Sequence, residues 1–175
     1  MNSMKSRIFS VLALCLLIST TGFAQNKKAV NLDEQIKLNG KVRTGKLANG
    51  LTYYVRANNK PANRAEFQIA VNAGSVLEEA NEVGLAHFTE HMGFNGTKHY
   101  PGNTMIDDLE KEGIVFGREI NAYTGFDQTV YMVTLPTDNS RLFDMGLKIL
   151  DGWASGMLMT GEEIDKERGV IIEEW

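Results

Sequence analysis

The stretch that most constrains this chain is His87-Phe88-Thr89-Glu90-His91. Two histidines four positions apart on a helix face the same side, about one turn from each other. Both imidazoles can then reach one Zn²⁺ at about 2.0–2.1 Å. Glu90 stands three positions after His87 and projects along the same side, where it can hold a water without being a ligand. The spacing is H-x-x-E-H, the reverse of the H-E-x-x-H pattern of zinc hydrolases. Ordinary surface histidines are the competing reading, and the flanking pattern argues against it. Val83, His87, Glu90, His91 and Phe94 form one stripe at helical spacing, with Leu85, Ala86, Phe88 and Met92 as an apolar stripe beside it. A helix apolar over most of its circumference is expected to be buried. Buried imidazoles and a buried carboxylate are costly unless they are paired or bound to a metal.

The start of the chain narrows the ligand inventory. Lys5 and Arg7 precede an apolar run, Ile8 to Ile18, and Gly22-Phe23-Ala24 closes it with small residues before Gln25. That three-part layout is a secretory signal peptide over residues 1–24. The apolar run is too short to span a bilayer, which needs about 17–25 residues, so no stable membrane insertion is expected. Removal of the leader takes away Cys15, the only cysteine. The mature chain then has neither disulfides nor thiolate ligands, and a metal must be held by histidine and carboxylate. Of 18 basic residues, Lys5 and Arg7 leave with the leader, so 16 face 22 acidic ones, a net charge of −6. An exported, mildly acidic protein is a poor candidate for binding nucleic acid.

The remainder reads as an N-terminal arm (residues 25–45) and one α/β domain (residues 46–175). Lys46 to Val55 carries Asn49-Gly50, a strong hairpin signal. Ala65 to Asn72 alternates as a half-buried strand. The histidine helix stops among Gly93 to Thr97, and His99, in the loop that follows, is given no role. Asn103 is placed as the N-cap of a helix through Met105, Ile106 and Leu109, closed by Gly113. Ile114 to Phe116 and Glu119 to Tyr123 read as short strands, and Thr129 to Leu135 as the best strand in the chain. Pro136 breaks it, and Thr137 or Asp138 caps a helix carrying Leu142, Met145, Ile149 and Trp153 at core spacing. Thr160-Gly161-Glu162-Glu163 is a capping box that opens a last helix. No stop signal follows it, so the chain is expected to be the front part of a longer protein.

A catalytic zinc usually takes three protein ligands and leaves a fourth position for water. Here the third must be a carboxylate, and the last helix offers Glu162, Glu163, Glu167, Glu173 and Glu174. Glu167 and Glu174 share one face, two turns apart, with Ile171 between them. Spacing leaves the choice between those two open.

Three segments in order resemble the insulinase (pitrilysin) family of zinc metallopeptidases, in particular its large periplasmic bacterial members. They are His87 to Thr97 (His-Phe-Thr-Glu-His-Met-Gly-Phe-Asn-Gly-Thr), Asn121-Ala122-Tyr123-Thr124, and Glu167 to Trp175. The resemblance implies zinc held by His87, His91 and Glu174, water activated by Glu90, and Glu167 as a supporting acid. His91 and Glu174 are 83 positions apart, longer than is usual in the family, and strict counting would select Glu167. The local motif favours Glu174. The resemblance further implies a peptide substrate lying along Asn121 and Ala122, with Phe94 lining a side-chain pocket. It implies a mostly antiparallel sheet with packed helices, the first unit of a clamshell. A second half or partner subunit would complete the clamshell, and this chain alone is expected to be inactive. A non-catalytic peptide-binding or scaffold subunit is the alternative, since some family members have lost the motif.

Overall fold

The structure, a computed structural model, describes residues 31–174. The expected signal peptide lies outside those residues, as do the first part of the arm and Trp175. The described residues belong to two compact units divided after Arg56.

In the first unit, β1 (Val42–Lys46) pairs antiparallel with β2 (Thr52–Arg56). The turn between them uses the expected Asn-Gly: Gly50 takes a φ of 94°, and Asn49 Oδ1 accepts from the Leu51 N–H at 3.1 Å. Val42 to Gly45, read from sequence as the end of the arm, belong to this ladder. Each residue of β2 takes a partner across the turn, and the register carries the pairing back to Val42, opposite Arg56.

The second unit is built on a three-stranded antiparallel sheet. β3 (Arg64–Val71) and β4 (Ile120–Thr124) flank β5 (Thr129–Pro136) in the order β3-β5-β4. As the central strand β5 is the most buried, and its β-branched and aromatic run suits that place. The connection returning to β4 behaves differently from the sequence reading. Ile114 to Phe116 form no strand, only one bridge from Phe116 to Ile120. Gly113 and Gly117, at φ of 77° and 82°, turn the chain on either side of it.

Among the described residues this unit has four α-helices, α1 (Leu85–Met92), α2 (Thr104–Lys111), α3 (Ser140–Ser155) and α4 (Gly161–Glu173), the last packed on α1. α3 presents Leu142, Met145, Ile149 and Trp153 to Phe67, Tyr131, Val133 and Leu135 of the sheet, and Met105 and Leu109 of α2 join the same core. Burial of each large apolar side chain contributes about 1.5–3 kcal/mol. Two caps differ from the sequence reading. Asn103 precedes α2, but its side chain donates to Asp107 Oδ1 at 2.8 Å instead of capping the backbone. α3 is capped by Asn139, whose Oδ1 accepts from the Arg141 N–H at 3.0 Å, and not by Thr137 or Asp138. The Thr137 N–H is still bonded to the Asn63 carbonyl at 3.0 Å, which keeps the chain extended past Pro136. α4 opens at the capping box, with the Glu163 N–H on Thr160 Oγ1 at 3.4 Å.

The segment after α1 is tied to the segment after α3. Thr97 bridges Met157, the Lys98 N–H donates to the Gly156 carbonyl at 2.7 Å, and the Leu158 N–H donates to the Gly96 carbonyl at 3.0 Å. The exit of α1 and the entry of α4 are thereby held together. Gly93 is the tightest point of this join. Its carbonyl accepts from the buried Trp153 Nε1–H at 2.9 Å, and a Cβ there would lie 2.5 Å from Tyr131 Cε1. Gly93→Ala is expected to destabilise the fold by about 1–3 kcal/mol through overpacking, read from the midpoint of denaturant unfolding. Among the described residues no helix is long and apolar enough to cross a membrane.

Candidate metal centre

α1 is shorter and more exposed than the stripe pattern implied. It starts at Leu85 because Gly84 takes a φ of 93°, a left-handed conformation that an incoming helix cannot continue through. Val83 therefore lies outside the helix. Within α1 only Glu90 and Met92 are buried, while Leu85 is 52% exposed. The expectation of burial all round is corrected accordingly. Val83, Gly84, Leu85 and Phe88 instead form one wall of a groove of about 330 Å³, with Ile171 and Ile172 of α4 as the other.

Gly84 has no side chain to cap α1, and the cap comes from upstream. Glu78 accepts from the Gly84 N–H at 3.0 Å through one carboxylate oxygen and from the Ala86 N–H at 2.8 Å through the other. A carboxylate on these free N–H groups also complements the positive end of the helix dipole.

The histidines leave α1 on one side, as four-residue spacing requires. His87 Nε2 and His91 Nε2 lie 3.1 Å apart. Glu174, just past the last turn of α4, brings Oε2 to 3.5 Å from each. These three are the one group among the described residues whose donor atoms converge closely enough for a metal ion. A tetrahedral ion with bonds of about 2.0–2.1 Å holds its donors about 3.4 Å apart. The three spacings match that edge length, so the donor set fits zinc in chemistry and in size. The cluster is open to solvent on one side: the side chains of His87 and Glu174 are 36% and 46% exposed.

Glu167 stands two turns before Glu174 on the other side of the His91 ring. Its Oε1 lies 2.7 Å from His91 Nδ1, and its Oε2 accepts from the Asn95 side-chain amide. With Nδ1–H donated to this carboxylate, the His91 lone pair rests on Nε2 and points into the cluster. The Glu167 side chain is only 13% exposed.

Glu90 is 8% exposed, and its Oε2 accepts from Thr124 Oγ1 on β4 at 2.7 Å. Tyr131, on the central strand below, donates its hydroxyl to the Thr89 carbonyl at 3.2 Å. Burial, with the negative charge of Glu90 nearby, raises the Tyr131 phenol far above its usual range, so it stays a donor.

The remaining sequence candidates are placed as follows. The Phe94 ring packs among Phe116, Trp153 and Tyr131 at centroid separations of 5.1, 6.0 and 6.3 Å. Asn121 and Ala122 lie on β4, at an edge of the sheet. The Thr134 N–H donates to the Glu119 carbonyl at 2.7 Å, so by alternation Asn121 and Tyr123 also face β5, and Ala122 turns its backbone outward. The Ala122 N–H is occupied by the side-chain oxygen of Asn121 at 2.9 Å. His99 meets Asp151 on α3 at 2.6 Å, far along the chain from the pentad, and ties a loop to that helix.

Sequence reasoning missed three residues of the site: Glu78, Asn95 and Thr124. Glu78 caps α1 from six positions before Gly84, outside any local capping pattern. Asn95 and Thr124 stood inside quoted motifs, but nothing in their spacing indicated which carboxylate each would meet.

An antiparallel sheet and packed helices, with two helices converging on a His-His-Glu cluster, give the layout of a candidate metal centre. Comparison with known proteins agrees. The profile of the family described as Insulinase (Peptidase family M16) matches residues 53–175, and the chain belongs to that family. It is 44% identical over 135 residues to a probable zinc protease, PqqL, of Escherichia coli, covering 77% of this chain and 14% of that protein. A probable zinc protease of the same name from Haemophilus influenzae is 37% identical over 163 residues, covering 93% of this chain and 18% of the relative. Among solved structures, the first half of the periplasmic protease PqqL from E. coli is similar with a TM-score of 0.76 and 43% identity. That likeness covers 80% of this chain and 30% of the other. The chain thus spans less than a fifth of the length of these two curated relatives.

Proposed function

We propose that this chain carries the zinc-binding and proton-handling part of a metalloendopeptidase that hydrolyses peptides or unfolded polypeptides. The observation that supports this best is the set of three donor atoms, 3.1 to 3.5 Å from one another, beside a buried glutamate that is not one of them. His87, His91 and Glu174 would hold one Zn²⁺. Zinc supplies positive charge there, lowering the pKa of water towards about 7 and polarising the scissile carbonyl.

The protein's own residues do the rest. Glu90 takes the proton from the attacking water and passes it to the leaving amine. Glu167 keeps the His91 ring in one orientation and one tautomer. A peptide adds to the free edge of β4 as a further strand, with Ala122 offering its outward main-chain groups. The Asn121 amide oxygen already occupies the Ala122 N–H, and the incoming peptide carbonyl takes its place. Docking through main-chain bonds selects extended segments over folded surfaces. Phe94 contributes the uncovered part of its ring to the side-chain pocket. The protein acts after export, in the periplasm. The rest of the full-length protein, or a partner subunit, encloses the substrate, and residues 25–175 by themselves are inactive or nearly so.

In the full-length protein, one zinc per site and cleavage of an unstructured peptide are expected, with activity lost on chelation and regained on adding zinc. Metal analysis and a peptide-cleavage assay measure both. Hydrolysis that survives complete removal of the metal would rule the mechanism out.

A further inference from the structure

We propose that Thr124 is a positioning residue for Glu90, holding one carboxylate oxygen so that the other is left for proton transfer. The inference rests on the reading of Glu90 as the proton carrier. Its basis is a count of hydroxyl protons. Thr124 Oγ1 lies 2.7 Å from Glu90 Oε2 and 3.4 Å from Thr129 Oγ1, and Thr129 Oγ1 lies 2.9 Å from the Ala73 carbonyl. A threonine hydroxyl has one proton to give, and a carbonyl can only accept. The Thr129 proton therefore goes to Ala73, and the Thr124 proton is free for the carboxylate at the shorter distance.

This is the one side-chain hydrogen bond that the Glu90 carboxylate makes among the described residues. Oε2 is thus tied to β4 and Oε1 is untied, in a residue only 8% exposed. A carboxylate on a flexible stem gains a defined place from that single bond. The tie also joins two functions, since Thr124 sits two positions after Ala122 on the strand whose edge would receive the peptide. α1 carries the base and β4 carries the substrate edge, and the Thr124 hydroxyl links them.

Two variants of the full-length protein test this. Thr124→Val keeps the shape and removes the hydroxyl, and Thr124→Ser keeps the hydroxyl and removes the methyl. With a peptide substrate, Thr124→Val should lower kcat by about 10–100-fold with KM and zinc content unchanged, since a misplacement of about 1 Å can cost 10²-fold. Thr124→Ser should restore most of kcat. Crystal structures of the metal-free variants give a reading independent of activity. The Glu90 carboxylate should leave its position in Thr124→Val and keep it in Thr124→Ser. An unmoved carboxylate in Thr124→Val, or an unchanged kcat, overturns the proposal. So does a change confined to KM, which would make Thr124 a peptide-binding residue. If the wild-type protein cleaves no peptide, the reading of function fails, and the crystallographic comparison still decides whether Thr124 positions Glu90.

Discussion

Glu90→Gln in the full-length protein is expected to retain stoichiometric zinc and to lose turnover by about 10²–10⁴-fold. The amide keeps the size of the side chain and still offers an oxygen to the Thr124 hydroxyl, 2.7 Å away in the structure. It cannot accept a proton from water at neutral pH. The metal should be indifferent to the change, because the converging donors are His87, His91 and Glu174 and do not include Glu90. Metal analysis and kcat, measured on the same preparation, separate the two effects. Loss of zinc together with activity would make Glu90 a ligand and refute its assignment as the base.

The second large effect separates the two glutamates of α4. Glu174→Gln is expected to weaken zinc binding severely, because it replaces a charged donor placed 3.5 Å from both histidine nitrogens. Glu167→Gln should leave most of the zinc in place and lower affinity or activity by about 10–100-fold, the usual cost of losing a partner that orients a ligand. A glutamine at position 167 can turn its oxygen to His91 Nδ1, but it then presents its amide to Asn95, donor against donor. Zinc affinity by competition with a chelator, with turnover at saturating zinc, reads both variants. The reverse order would show that Glu167 is the ligand.

Glu167 and Glu174 also illustrate how far the chain could be read before its fold was known. On one helix face two turns apart, they are equivalent by spacing, and helix geometry alone left both as candidates. The difference between them arises from where the His91 ring falls. That ring lies between the two acids, with Nδ1 toward Glu167 and Nε2 toward Glu174. Its place depends on the strand-like join of Thr97 to Met157, which sets α4 against α1 across a long stretch of chain.

Local physics was legible throughout the sequence. Four-residue spacing put His87 and His91 on one side of a helix, and Asn49-Gly50 turned a hairpin. Alternation marked β3, β-branched density marked β5, and apolar spacing marked the core face of α3. Each of these rests on contacts within a few residues or on a period intrinsic to the backbone, so it survives without knowledge of distant partners. Reading went wrong where a single residue overrode the period. Gly84 began α1 at Leu85, two residues after the stripe's first member Val83, and the bond from Thr137 to Asn63 delayed the cap of α3 to Asn139.

By itself the sequence determined the chemistry available to this protein: two histidines and a glutamate on one helix, and carboxylates on another. Only the tertiary structure decided which carboxylate meets which nitrogen. It alone brought Glu78 to the start of α1, Asn95 to Glu167 and Thr124 to Glu90. The reason is physical. A side chain's identity states what it can donate or accept, and a helix or strand period states which way it leaves the backbone. The distance between two such groups far apart in the chain is set by the packing of every element between them.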